Sequence, residues 1–587
     1  MQSYQPVIHY INGKFIGLLN MREPNNKHFV FANRGWDDDE IDLFEMDPDS
    51  AYVQKCGTEE SFLRWYDLSR HVNEEGVYDE ICEMVDVDEY VNYMAALLYL
   101  GTTDWPQNNL KGYFKRDGGR WRFVSFDLDF AFNTSDSFNT FFGKKNYTFE
   151  QLYDKHTRIT AEIKMVTILQ NMLANDRFRR RFIDVFCLMG GSIFEPTRAK
   201  AIIDELANNV APMMKYENGS PWNTANQMKE SLTNWMPKMM NTLKRYSLMK
   251  LQGISAQTVS LKADTEGATL LVNDVEVPYA EFTGRLFAPV RLRAEAPVGY
   301  TFSGWKDMTT GQICSTEAEM DLPEGLVDLT ATFRPNVDAA AVHPVVNEIS
   351  ASNDTYVNDY FKRADWVELY NPGSEPVDVE GMYLSNDAED LHLWRIEKGD
   401  SEASTVVPAH GYLIVWCDKQ DNRSQLHAPF KLGNGGGTVC LTAQDDSWTT
   451  SMLYPAHSMD QTVARYPDGS EAVYVSNVPT IGRRNVRTSY LVAAEQQPSG
   501  IVSAESAGAE LRLSYVLDRL VVTAQKGGEG RITVCSAAGQ TLTDRSVQIA
   551  DGRTEVSMSA LQPGYYVATL VMADGRRATC KLLAGRK

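Results

Sequence analysis

Up to about residue 250, apolar residues recur at helical spacing. Val87, Tyr90, Val91, Met94, Leu97 and Leu98 fall on one face of a 3.6-residue repeat and predict a helix over Val87–Leu100. Asp86, with Glu89 three residues on, has the form of a capping box at its start. The same periodicity predicts helices over Ala161–Ala174, Thr197–Met214 and Asn226–Met249, with strands at Pro6–Tyr10, Phe15–Asn20 and Trp121–Phe126. This mixture is an α+β arrangement whose second half is mostly helical.

After residue 252 the pattern changes to short β-runs punctuated by Gly, Pro, Asn and Asp. Three segments separate, 253–336, 344–488 and 509–587, with linkers at Asn336–Val342 and Gln496–Gly508. Each has a length suited to a sandwich or small barrel.

A chain of 587 residues exceeds what one hydrophobic core organises, and its length suggests about four domains. The formal charge of -21 makes nucleic acid and anionic lipid poor partners. No run of apolar residues is long enough for a transmembrane helix. The opening Met1–Pro6 has neither the basic nor the apolar region of a signal peptide, so the chain is expected to begin inside a domain. The eight cysteines form no C-x-x-C pair, which argues against a zinc ribbon or a thioredoxin-like site. Cys417 with Cys440, and Cys535 with Cys580, are close enough in sequence to pair in an oxidising space; buried free thiols fit equally well.

The stretch Gly101–Asn109 follows the Val87 helix and precedes a strand that ends in Phe126-Asp127-Leu128-Asp129-Phe130. Phosphoryl transfer requires a carboxylate to orient the attacking hydroxyl, oxygen ligands for magnesium, and charge neutralisation. Protein kinases place the first carboxylate and a metal-binding Asn five residues apart on one loop, with a second metal-binding Asp further on. Asp104 and Asn109 have that spacing, and Asp127 or Asp129 follows. One Asn and one or two Asp are hard oxygen donors that suit Mg2+. By itself such a spacing arises by chance, and paired acids commonly belong to turns. No G-x-S-x-G or H-E-x-x-H occurs, which leaves hydrolase chemistry with little support.

Several segments, in order, resemble the CotH (spore-coat protein H) family of atypical protein kinases. They are Pro6–Gly17 running on to Arg22-Glu23, Asp39–Glu45, Thr103–Pro106 with Asn108-Asn109, and Trp121–Phe123 leading to Asp127–Phe130. The resemblance spans roughly 1–250. It implies a kinase-like fold that binds ATP with Mg2+ or Mn2+ and phosphorylates protein hydroxyls. By position Asp104 would be catalytic, Asn109 and Asp127 would bind nucleotide and metal, Asp129 would also be a metal ligand, with the main metal role open between Asp127 and Asp129, and Glu23 would lie near the nucleotide. The phosphate-holding Lys of a kinase would fall upstream of this chain, so the kinase-like domain is expected to be N-terminally incomplete. Lys14, the one Lys on the first strands, sits in an Asn-Gly hairpin turn and is expected to be exposed.

The β segments carry resemblances of their own. Ala296–Trp305 and Leu329–Phe333 look like a Listeria-type surface repeat, which implies a spacer. Val346–Ile349, Asp365–Pro372, Gly381–Ser385, Phe430–Leu432, Arg465–Gly469 and Pro479-Thr480 look like a lamin-tail domain, an immunoglobulin-like sandwich. There Glu348, Asp365 and Glu368 are expected as structural hydrogen-bonding groups rather than calcium ligands. Leu511–Val522, Ile532–Val534, Leu561–Val567 and Lys581 resemble the C-terminal sorting domain of type IX secretion in Bacteroidota. The expected architecture is therefore an incomplete α+β kinase-like domain (1–252) followed by three all-β domains (253–336, 344–488, 509–587). Two functions compete. One is a secreted or outer-membrane-surface kinase acting on a protein substrate. The other is a catalytically defective, kinase-like scaffold that binds a surface partner. Either would use the type IX secretion machinery.

Overall fold

A hairpin opens the chain, β1 (Tyr4–Ile11) and β2 (Lys14–Arg22). Asn12 and Gly13 turn it at φ 50° and 76°, the paired left-handed conformation that a two-residue hairpin loop requires. Lys14 is exposed, as its place beside that turn predicts. The computed structural model describes residues 4–46, 52–106, 108–132, 161–217, 219–336, 343–353, 355–397, 404–420, 426–459, 461–488, 492–493, 511–516, 519–524, 526–536, 541–550, 552–557, 564–574 and 576–584. These form two compact units, Met1–Ala494 and Glu495–Lys587. Apart from Asn336, both predicted linkers lie outside the described residues.

The first region is built on an antiparallel sheet, β3 (Ile41–Met46), β4 (Tyr52–Cys56), β5 (Lys111–Lys115) and β6 (Arg122–Phe123), in the order β4-β3-β5-β6. β3 is largely buried on both faces because both are covered, with Asp42 satisfied there by the Thr58 amide. Ile41 and Leu43 face helix α1 (Lys27–Arg34) with Phe29, Val30 and Trp36. Phe44 points the other way, into an aromatic cluster with Phe62 of α2 (Glu60–Ser69) and Trp121, at ring separations of 4.8 and 5.5 Å. Helices α3 (Val77–Met84) and α4 (Val87–Tyr99) complete that side, and α5 (Ala161–Ala174) and α6 (Asp176–Leu188) pack behind. α7 (Pro196–Met214), α8 (Trp222–Asn234) and α9 (Met236–Arg245) follow. The region is α+β, with nine α-helices among the described residues.

The predicted helices at 87, 161 and 197 match the observed ones to within a residue at either end. The predicted helix over Asn226–Met249 is instead two helices and a 3-10 turn, broken at Trp235. Pro237 supplies the reason: it has no N–H to continue the first helix, and it fits the first turn of the next. The strand predicted over Trp121–Phe126 keeps only Arg122 and Phe123, because the chain turns away toward a left-handed residue at Asp127, φ 52°.

Residues 256–335 form a five-stranded and a four-stranded sheet. Their apolar core is continuous with that of the helices: Phe282, Leu286 and Trp305 belong to the same buried cluster as Trp121 and Phe186. The approach is closest at Gly191, in the π-helical turn Met189–Ile193, where a Cβ would lie 2.3 Å from the Phe282 ring and 2.8 Å from the Thr283 carbonyl oxygen.

Residues 345–493 build a seven-stranded, a four-stranded and a small two-stranded sheet around a second core, with Val346, Val367, Val439 and Val463 fully buried. Inside it, Glu348 and Glu368 stand directly opposite each other on neighbouring strands, both wholly buried. Glu348 accepts hydrogen bonds from the Thr480 amide (3.0 Å) and hydroxyl (2.8 Å). Glu368 accepts from Gly482 N (2.7 Å) and the Asn347 amide (3.1 Å). These are structural roles, as expected, and Asp365 likewise accepts from Leu432 N at 3.0 Å. Cys417 and Cys440 are buried free thiols; the Cys535 and Cys580 side chains lie outside the described ones. The second unit contains a three-stranded and a four-stranded sheet.

Two outcomes follow. Gly191→Ala should lower stability by about 1–3 kcal/mol, the usual cost of overpacking, read by urea unfolding. Burial pushes the carboxyls of both Glu348 and Glu368 above the ordinary range, with the charge of Asp468 adding to it at Glu348 and that of Glu348 adding to it at Glu368. The folded protein therefore holds protons that the unfolded chain releases. Stability should fall as pH rises from the normal glutamate range toward neutrality, and Glu368→Gln should reduce that fall in thermal melts at pH 5 and pH 8.

Candidate functional site

Helix α4 and strand β6 together position the candidate loop. Asp86 caps α4 by accepting from Glu89 N at 3.1 Å, so half of the predicted capping box forms. The other half does not. The Asp86 N–H already donates to the Trp121 carbonyl oxygen, and the Glu89 carboxylate instead accepts from Phe123 N at 3.1 Å. Asp86 also holds Arg122 in a buried ion pair of 3.0 Å. Burial, and then the neighbouring Asp86, push the Glu89 carboxyl up to about 8.

From the far end of α4 the chain enters Gly101–Asn109. Trp105 is buried and donates its indole N–H to the Tyr93 hydroxyl at 2.9 Å. Tyr93 stacks on Phe123 of β6 with ring centroids 5.0 Å apart. The loop therefore has its anchor on the helix before it and the strand after it.

Within this frame the side-chain amides of Asn108 and Asn109 both donate to Oδ2 of Asp104, at 3.0 and 3.1 Å. Asn109 is buried at φ 55°, a left-handed conformation that Asn tolerates better than most residues. Beyond β6, Asp127 is also left-handed. Burial, and then the adjacent Asp129, push the Asp127 carboxyl up; Asp104 adds to this and Arg22 opposes it. Asp104, Asn109, Asp127 and Asp129 thus gather in one place, with Asn109 and Asp127 walling the same crevice beside Tyr93 and Trp105. Glu23 lies at the end of β2 and takes a hydrogen bond from Asn33 of α1.

Two cations escaped the sequence reading. Arg22 was visible only as part of an Arg-Glu pair. Lys111 follows Asn109 by two residues at the start of β5, a strand that also ends in Lys115, and nothing in its local pattern set it apart.

Among the described residues no three His, Cys, Asp or Glu side chains form a ready metal cage. The donors present are carboxylate and amide oxygens, and like charge has accumulated around Asp127. Such a set fits Mg2+ or Mn2+ that keeps part of its water and shares phosphate oxygens, and does not fit a soft metal.

Residues 1–243 match the family model described as CotH kinase protein, and residues 288–337 match the divergent InlB B-repeat domain. The first match covers every N-terminal segment that carries the resemblance, and the second overlaps the C-terminal part of the 253–336 segment and ends one residue beyond it. Over those two stretches the chain is similar to the CotH kinase family and to the B-repeat domain, respectively. No curated protein matches the chain. Among solved structures, a DUF4876 family protein from Bacteroides thetaiotaomicron is similar at 11% identity and a TM-score of 0.14, over 51% of this chain and 94% of that one. The Bacteroides ovatus mixed-linkage glucan utilization locus protein SGBP-B, solved with a mixed-linkage heptasaccharide, is similar at 11% identity and a TM-score of 0.10, over 56% of this chain and 63% of that one. At those scores neither likeness carries an argument about this chain. No helix among the described residues is long and apolar enough to cross a membrane.

Removing one partner of the buried Asp86–Arg122 pair leaves a charge uncompensated. Arg122→Met should cost about 3–5 kcal/mol in urea unfolding, well beyond the effect of a surface substitution.

Proposed function

We propose that the N-terminal domain is an ATP-dependent atypical kinase that transfers the γ-phosphoryl group to Ser or Thr hydroxyls of a protein. The observation that carries this reading is the convergence of both Asn amides on Asp104 beside Asp127 and Asp129. With its Oδ2 engaged twice, Asp104 has a fixed carboxylate plane and can orient a substrate hydroxyl and accept its proton. Asn109, Asp127 and Asp129 would hold Mg2+ or Mn2+; the bound ion supplies charge neutralisation to the phosphates. Arg22, which acts on Asp127 through its charge, adds positive potential on the same side. We further propose that residues 344–488 are a lamin-tail domain and 509–587 a type IX sorting domain, so that the kinase works at the outer-membrane surface or in the secreted fraction.

A thermal-shift titration tests the site. Ligand bound only by the folded state stabilises it by mass action, about 2.7 kcal/mol at a hundredfold excess over Kd. ATP with Mg2+ or Mn2+ should raise the melting temperature, and Asp127→Ala or Asp129→Ala should remove the metal-dependent part. No shift at millimolar ATP would overturn the kinase reading and leave a kinase-like scaffold that serves as a binding surface.

A further inference from the structure

Lys111 is a buried cation one strand away from the candidate metal residues, with its side chain only 5% exposed. Its ammonium meets three partners from three separate segments. Glu45 Oε2 on β3 lies at 2.6 Å, Asn25 Oδ1 in the β2–α1 loop at 3.2 Å, and the centroid of the Phe126 ring at 5.2 Å. The backbone carbonyl of Lys111 also accepts from Val124 N at 3.1 Å. The other oxygen of Glu45 pairs with Lys55 on β4 at 2.5 Å, and that cation is 42% exposed. Next to Phe126 stands Asp127 in its left-handed conformation, and three residues before Asn25 stands Arg22, whose charge acts on Asp127.

Burying an ammonium is costly unless every donor finds a partner. Here the partners are strand β3, the β2–α1 loop and the segment that leads into Asp127. A left-handed Asp is strained and keeps its conformation only when its surroundings hold it. Phe126, gripped through its ring face by Lys111, is the neighbouring residue that can do so.

We propose that Lys111 is a positioning residue: paired with Glu45, it fixes the Phe126–Asp129 turn and the β2–α1 loop against each other and so sets the Asp127 carboxylate for a divalent cation. This rests on the nucleotide-site reading above. Lys111 is too enclosed to contact phosphate, so it acts through Phe126 and Asp127. Residues that orient a metal ligand change metal affinity by about 10- to 100-fold when they are lost.

The test compares Lys111→Met, Lys111→Arg and Phe126→Leu with the wild type in two measurements on the full chain. The first is amide hydrogen exchange of residues 121–132 without ligand. The second is the Mg2+ concentration that gives half the ATP-dependent rise in melting temperature. Lys55 still compensates Glu45 in Lys111→Met, which favours a folded variant. Lys111→Met is expected to speed exchange across 124–129 while leaving α4 unchanged, and to raise the Mg2+ requirement about tenfold or more; Lys111→Arg should recover most of both. A folded Lys111→Met with wild-type exchange and wild-type Mg2+ requirement overturns the proposal. Should Lys111→Met not fold, Phe126→Leu decides: it keeps the ion pair and should show the same changes, smaller in size, and no change overturns the proposal. A wild type that ignores Mg2+ and ATP refutes the nucleotide site, and the exchange contrast alone then decides whether Lys111 holds the turn.

Discussion

Everything around the candidate site depends on how α4 is tied to β6. Glu89, in the first turn of α4, spends its carboxylate on the Phe123 amide rather than on its own helix terminus, and Asp86 beside it holds Arg122. Both ties are buried, where electrostatic attraction is strong and an unpaired group is expensive. The helix delivers the loop bearing Asp104 and Asn109, and the strand delivers the turn bearing Asp127 and Asp129. Because Tyr93 joins Trp105 of the loop to Phe123 of the strand, the two segments also meet at the middle of α4. The site inherits its geometry from a helix–strand joint, which is a more rigid basis than the loops alone.

Charge at the site is deliberately unbalanced. Asp127 experiences Asp129 and Asp104 as repulsive neighbours, with Arg22 as the opposing charge. Around Glu45 the balance reverses. Glu45 is held between Lys55 and Lys111, and although burial alone would push its carboxyl up, the two ammonium groups outweigh burial and bring it down. The contrast separates a layer that is internally satisfied from a layer whose negative charge favours a cation.

Further along the chain the same physics produces different results. Glu348 and Glu368 are as acidic in sequence as Asp127 and Asp129, yet they are enclosed among amide and hydroxyl donors in a β core, where burial above all raises their carboxyls. The helical region and the residues after 252 are joined by a continuous apolar cluster, and Gly191 allows the Phe282 ring to approach the helix backbone directly.

The sequence alone determined the elements whose cause is local. The Asn12-Gly13 turn, the periodic helices at 87, 161 and 197, and the change to β structure after 252 rest on backbone preference and on spacing within one segment. The D-x-x-x-x-N spacing of Asp104 and Asn109 was legible for the same reason. What only the tertiary structure decided were the partnerships. Glu89 left its capping box because Trp121 had already taken the Asp86 amide, 35 residues away in sequence. Lys111 became part of the site because Glu45, Asn25 and Phe126 meet at its ammonium group. Glutamates alike in sequence were shifted up, as at Glu348, or down, as at Glu45, according to the burial and the partners that folding brought to them. A buried charge is settled by whatever surrounds it in three dimensions, and no local pattern in the chain encodes that company.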